Sequence, residues 1–224
     1  MTDMINNVDL KELFEQRRKK RIIKLRPFSE LVAEIQVQQK DPVEYIKFIN
    51  REINCPEKYV SALPDNMDQQ LKDWAAETDG STSLYIYGSV GTGKTFGAYA
   101  LAKLYKANKI KVRVKNFADW LDKLRSYYDD CRSEYEIKEE MRDEAVLILD
   151  DLGVEKQTDW TQEIMDRLVN ARYEQIRPTI FTSNLAFGKL GERYGDRVAS
   201  RIVEMVSGSR GIIKIDGNDR RLRP

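Results

Sequence analysis

"LYIYGSVGTGKTFGAYALAKLYKAN", residues 84–108, runs from a short apolar stretch through a glycine-rich turn into a helical pattern without a break. Its centre, Gly88–Thr95, fits G-x-x-x-x-G-K-[ST] at every position. Glycines at these places let backbone N–H groups turn inward around phosphates, at the positive end of the helix that follows. Gly88, Ser89, Val90, Gly91, Thr92 and Gly93 are therefore the expected cradle. Lys94 is placed to reach the β- and γ-phosphates, and the Thr95 hydroxyl to ligate Mg²⁺. The expected ligands are ATP and Mg²⁺.

Working outward, the chain from Ser83 alternates apolar strands with helical patterns. "IKVRVKN", "AVLILDD", "PTIFTSN" and "GIIKIDG" read as strands, making five with "LYIYGS". "FADWLDKLRSYYDDCRSEYEIKEEM", "WTQEIMDRLVNARYEQI" and "GDRVASRIVEM" read as helical stretches between them. That alternation implies βαβ units and an α/β fold with a mostly parallel sheet covered on both faces.

Two strand ends carry candidate chemistry. "AVLILDD" ends in Asp150, expected to deliver a carboxylate to the magnesium beside Thr95. Asp151 is then placed to orient the attacking water, with Glu155 a few residues on as a further carboxylate. "PTIFTSN" ends in Asn184, which can polarise the same water. Thr182 or Ser183 can make that contact instead, and an asparagine at a strand-to-turn transition is also common without any such role.

"YGDRVASRI" sets Arg197 and Arg201 four positions apart on one short helix, where like charges repel by roughly 0.2–0.5 kcal/mol. Val198, Ile202 and Met205 would pack this helix on its own sheet and point the arginines outward. An outward arginine can complete a neighbouring subunit's site, where a guanidinium on the transferred phosphoryl group is worth roughly 10³–10⁵ in rate. It can also simply pair on the surface with Glu204.

The first 50 residues read as helices. Leu10, Leu13 and Phe14 make a weak stripe running into "RRKKRIIKLR"; Phe28, Leu31, Val32 and Ile35 follow helical spacing; Asp41 and Pro42 look like the N-cap and first position of another helix. "NCPEKYVSALPDN" reads as a loop. The expected division is 1–50, a helical partner-binding extension, and 51–224, the nucleotide domain.

Composition narrows the function classes. The 224 residues are 41% hydrophobic and 33% charged, with a net charge of +1, which argues against a surface coated for bulk nucleic-acid binding. There is no histidine, and the two cysteines, Cys55 and Cys131, stand far apart. Zinc binding and His-based catalysis are therefore excluded as expectations, and reduced thiols in a cytoplasmic protein are expected. The polar N-terminus and the lack of any long apolar run predict neither secretion nor membrane spanning.

"LILDDLGVEKQTDW", "NARYEQIRPTIFTSNLAFGKLGERYGDRVASRIVEM" and the phosphate loop together resemble the ATPase domain of bacterial replicative-helicase loaders of the DnaC/DnaI type, over about residues 50–217. The resemblance implies a P-loop AAA+ fold of the ASCE class, with a five-stranded parallel sheet, helices on both faces and no C-terminal lid. It places the arginine finger on Arg201, with Arg197 as an accompanying interface residue. It also implies ATP-dependent oligomers, contact with single-stranded DNA and a hexameric helicase partner, here expected on the N-terminal helices. Many AAA+ ATPases have glutamate where Asp151 stands, so the hydrolysis rate is an open question. The ending "DGNDRRLRP" leaves no room for a lid arginine, and Arg220, Arg221 and Arg223 read as a charged tail or a partial substitute. Two alternatives stand beside this reading: a transposition-helper ATPase of the IstB type, disfavoured by the near-neutral charge, and a nucleotide-gated adaptor that hydrolyses little.

For DNA, "WLDKLRSYY" joins Lys123 and Arg125 to Tyr127 and Tyr128, a mixture of cations and aromatics that suits single strands. In the resemblance, Arg125, Tyr128, Thr158 and Trp160 match positions along the DNA path. Taken alone, the tyrosines suit half-buried packing as well.

Overall fold

Five apolar runs become five strands, and both of their faces are covered. The computed structural model describes residues 24–38, 41–78, 81–126, 146–207 and 210–217. The strands are β1 (Leu84–Tyr87), β2 (Val112–Asn116), β3 (Val146–Leu152), β4 (Thr179–Ser183) and β5 (Ile212–Lys214). They lie in the order β2-β3-β4-β1-β5, and every neighbouring pair is parallel. The expected five-stranded parallel sheet is thus present. Leu84 pairs with Ile180 and Tyr87 with Ser183, so the ends of β1 and β4 finish level. Asn116 pairs with Asp150, which places the acidic end of β3 on the same rim.

Helices α1 (Phe28–Val37), α2 (Pro42–Glu52) and α3 (Gln69–Glu77) precede the sheet. The Asp41 side chain accepts from the Val43 N–H at 2.8 Å, with Pro42 in the first turn, as the sequence predicts for α2. α3 follows its own cap, Asp68, which accepts from Gln70 N–H at 3.0 Å. Helices α4 (Lys94–Ala107), α5 (Phe117–Ser126), α6 (Asp159–Glu174), α7 (Leu190–Tyr194) and α8 (Asp196–Val206) lie between and after the strands.

Alternation within each strand sorts side chains to two cores. Ile86, Ile148 and Ile180 join one cluster with Leu101 and Tyr105 of α4. Leu71 and Trp74 of α3, Phe28 and Leu31 of α1 and Ile49 of α2 belong to the same cluster, so the chain from residue 25 packs into the core that supports the phosphate loop. Tyr85, Leu149 and Phe181 point the other way, against Leu121 of α5, Leu168 of α6 and Ile202 of α8. Burial on both faces is why the strands read as continuous apolar runs. Among the described residues, no helix is long and apolar enough to cross a membrane.

Candidate active site

The loop between β1 and α4 depends on backbone that few residues adopt. Gly91 and Gly93 have φ of 79° and 103°, in the left-handed region open to glycine. At Gly88 the constraint is space, because a Cβ there would lie 2.2 Å from the Ile215 carbonyl oxygen just past β5. Lys94, the first residue of α4, is buried and folds back over the loop. Its Nζ donates to the carbonyl oxygens of Gly88 at 3.0 Å and Ser89 at 2.7 Å. The Thr92 hydroxyl donates to the Ser89 carbonyl at 3.0 Å and pins the turn from the side.

Across from the loop, Asp150 ends the regular part of β3. Its carboxylate is 6% exposed and accepts from the Thr182 hydroxyl at 2.6 Å. Burial pushes its pKa above the ordinary carboxylate value, against the opposing pull of hydrogen bonds from Thr182 and Thr95 and of the Lys94 charge. After Asp150 the pairing of β3 with β4 slips, and Asp151 takes a φ of 64°. The Thr182 hydroxyl holds this bend, since it also accepts the Asp151 N–H at 2.8 Å. One fully buried threonine therefore braces both aspartates.

A cleft of about 480 Å³ brings these parts together, with Gly91, Gly93, Lys94, Thr95, Asp151 and Asn184 on its walls. Asn184 is exposed at the end of β4, facing the same space as Asp151. The buried Asp150 carboxylate, near enough to Thr95 for that hydroxyl to oppose the rise in its pKa, supplies hard oxygen donors, which suit Mg²⁺ held partly by phosphates. No group of three or more His, Cys, Asp or Glu residues occurs among the described residues, so a metal held by protein groups alone has no site there.

A further wall of the cleft is formed by Lys58, Tyr59 and Asn66, which the sequence did not single out. Tyr59 stacks on Tyr99 of α4 at 4.8 Å between centroids, nearly coplanar at 13°. Lys103 secures this wall from beneath. Fully buried, its ammonium donates to the carbonyls of Tyr59 and Val60 at 2.8 Å each, and burial pulls its pKa down. A lysine within the apolar pattern "YALAKLY" was the available signal.

Glu155, expected as a further carboxylate for the water, is otherwise engaged. It accepts from Gly153 N–H at 2.9 Å, and from Arg193 Nη2 and the Tyr194 hydroxyl at 2.7 Å each. Only 8% exposed, it ties the loop after β3 to α7. Arg197 and Arg201 do not line the cleft. Both face Asp166 of α6: Arg201 Nη1 lies 3.1 Å from its Oδ1 and Arg197 Nε 3.7 Å. Glu204, the surface partner expected for the arginines, accepts instead from the Tyr173 hydroxyl.

Of the DNA candidates, Arg125 and Trp160 meet, with the guanidinium carbon 4.7 Å from the ring centroid. Arg125 also pairs with Asp122 at 3.3 Å, and Lys123 is exposed on the same helix. Thr158 is the half-buried N-cap of α6, accepting from Thr161 N–H at 3.2 Å. Tyr127, Tyr128, the N-terminal 23 residues and Arg220, Arg221 and Arg223 lie outside the described residues.

The sheet order, the loop and the buried carboxylate are accompanied by a match to the IstB-like ATP-binding protein family over residues 50–224. The chain belongs to that family. Among its relatives, the replicative helicase loader DnaI of Bacillus subtilis (strain 168) is 28% identical over 154 residues, 65% of this chain and 49% of DnaI. The replicative helicase loader DnaC of Escherichia coli (strain K12) is 24% identical over 157 residues, 69% of this chain and 62% of DnaC. This chain therefore spans about half to three-fifths of those two proteins. A crystal structure of the DnaC helicase loader superposes with a TM-score of 0.63 at 25% identity, covering 72% of this chain and all of that one. The P-loop AAA+ fold expected from the sequence is thus shared with that helicase-loader structure.

Proposed function

We propose that this chain is an ATP-hydrolysing helicase loader that acts in the cytoplasm, binds single-stranded DNA and delivers a hexameric replicative helicase. One observation carries the ATPase part: the Lys94 loop, Thr95, Asp151 and Asn184 share one cleft, and the Thr182 hydroxyl that holds Asp151 also holds the buried Asp150. The loop amides and Lys94 bind the triphosphate, and Tyr59 and Lys58 flank its base. Magnesium held by Thr95 and Asp150 would supply neutralising charge on the phosphate oxygens. Asp151 and Asn184 orient the water, and Arg201 of a neighbouring copy faces the transferred phosphoryl group. The loader role is supported by the likeness to DnaI and DnaC, and Arg125 with Trp160 is the best-supported DNA contact.

The test pairs two measurements. ATP turnover should rise with protein concentration and fall about 100-fold or more in Arg201→Ala, at unchanged nucleotide affinity. The chain should co-purify with a hexameric replicative helicase and lose it when residues 1–23 are deleted. That boundary spares Leu25 and Phe28, which are buried in the core. Retained turnover in Arg201→Ala would refute the shared site, and helicase capture by the truncated chain would refute the docking role.

A second reading, a nucleotide-gated adaptor, is favoured by the engagement of Glu155, which leaves the shorter Asp151 to orient the water. Turnover that stays negligible with single-stranded DNA present would select it. Stronger binding to duplex than to single strands would select the transposition-helper alternative.

A further inference from the structure

We propose that Asp166 is the positioning residue for the Arg201 guanidinium, holding it ready for a neighbouring copy's nucleotide. The inference rests on reading Arg201 as the residue that acts across the subunit boundary.

Asp166 and Tyr173 are seven residues apart, on one face of α6, and Arg197, Arg201 and Glu204 fall at i, i+4 and i+7 on α8. The two faces meet as a small polar lattice. Asp166 sits between the arginines and offsets their mutual repulsion. The Arg201 guanidinium lies 6.0 Å from the Tyr173 ring centroid and bonds Asp166 through Nη1. Tyr173 donates its hydroxyl to Glu204, which sits one turn beyond Arg201 and would otherwise compete for the same guanidinium.

The unused edge makes this a positioning device rather than a surface tie. Arg201 is 17% exposed and so is largely immobilised, yet within the described residues its Nε and Nη2 make no hydrogen bond. A guanidinium satisfied wholly within the protein uses donors on all three of its nitrogens. This one is fixed at one nitrogen and along one ring face, with the Nε and Nη2 edge left over in the planar fork that fits phosphate oxygens. A flexible arginine must be ordered during the reaction, whereas one already ordered contributes its full charge without reorganisation. Arg197, 67% exposed and 3.7 Å from Asp166, has the looser hold expected of an accompanying contact.

The test is steady-state ATP turnover of the full chain at assembling concentrations, with melting temperature as a folding control. Asp166→Asn keeps shape and removes charge, and should lower kcat about tenfold with the KM for ATP within about twofold. Asp166→Glu should restore part of the loss. In an Arg201→Ala background, Asp166→Asn should add nothing, because the carboxylate acts through that arginine. A rise in turnover for Asp166→Asn would overturn the proposal by making the pair a restraint. So would an unchanged kcat, or an equal loss in both backgrounds. If Arg201→Ala itself turns over at the wild-type rate, the trans reading fails. If that variant is inactive while Asp166→Asn is normal, only the positioning role fails.

Discussion

Thr182→Val removes one oxygen atom from a fully buried position and tests how the two aspartates are held. The lost hydroxyl donates to Asp150 at 2.6 Å and accepts from the Asp151 N–H at 2.8 Å. A hydrogen bond to a charged group contributes about 1.5–3 kcal/mol and a neutral one about 1. Burying a methyl group in place of a hydroxyl returns about 1 kcal/mol. The expected net loss is about 1.5–3 kcal/mol, which for a chain of this size lowers the melting temperature by roughly 3–12 °C. Asp150 also loses a donor that favours its ionised form, so its pKa should climb further and protons should compete better with magnesium. Urea unfolding of the ligand-free protein reads the first effect. The Mg²⁺ concentration for half-maximal turnover reads the second and should rise several-fold, with recovery at higher pH. Thr182→Ser retains the hydroxyl and should recover most of both. A Thr182→Val loss under about 0.5 kcal/mol with an unchanged Mg²⁺ requirement would refute the reasoning.

Asp150 gives a pH dependence of definite sign. Burial raises its folded-state pKa above the unfolded value, so folding favours its protonated form. The stability of the ligand-free protein from this group should fall as pH rises through the folded pKa, while Mg²⁺ affinity rises over the same interval. Urea titrations from about pH 4 to 8 should show the first trend and Mg²⁺ titrations the second, and Asp150→Asn should remove the Asp150 share of both. Glu155→Ala strands Arg193 in a mostly buried pair and should cost about 3–5 kcal/mol in unfolding experiments. Its nucleotide affinity at low temperature should match the parent, and a selective loss of turnover instead would restore Glu155 to the chemistry. Lys103→Met should loosen the Tyr59 wall and weaken ATP binding about threefold to tenfold, as expected for one or two side chains that must be ordered on binding. Affinity for inorganic tripolyphosphate, measured by displacement, should not change.

What could be read in advance was local. The phosphate loop, Asp150 and the five strands were legible because each is a short pattern, and strands such as "LILD" are apolar on both faces. The α2 cap was legible from Asp41 and Pro42 alone. α3 went unread, because Leu71, Trp74 and Ala75 are set among glutamines and acids in only nine residues. Contacts between distant segments were not legible. Spacing along α8 suggested Glu204 for the arginines, whereas the carboxylate between them, Asp166, comes from another helix. The wall carrying Tyr59 reads as a plain loop until α4 brings Lys103 beneath it. Thr158 carried the signature of a helix cap, a threonine followed by an aspartate before an apolar pattern, and it caps α6.

The contact of Gly88 with the Ile215 carbonyl links two ends of the domain mechanically. The Ile215 N–H also bonds the Tyr87 carbonyl at 2.8 Å, one residue before the loop begins. The chain leaving β5 therefore works as a wedge under the first turn around the phosphates. A side chain at position 88 would have to displace this strand end, so the pairing of β5 with β1 and the shape of the first turn are set together.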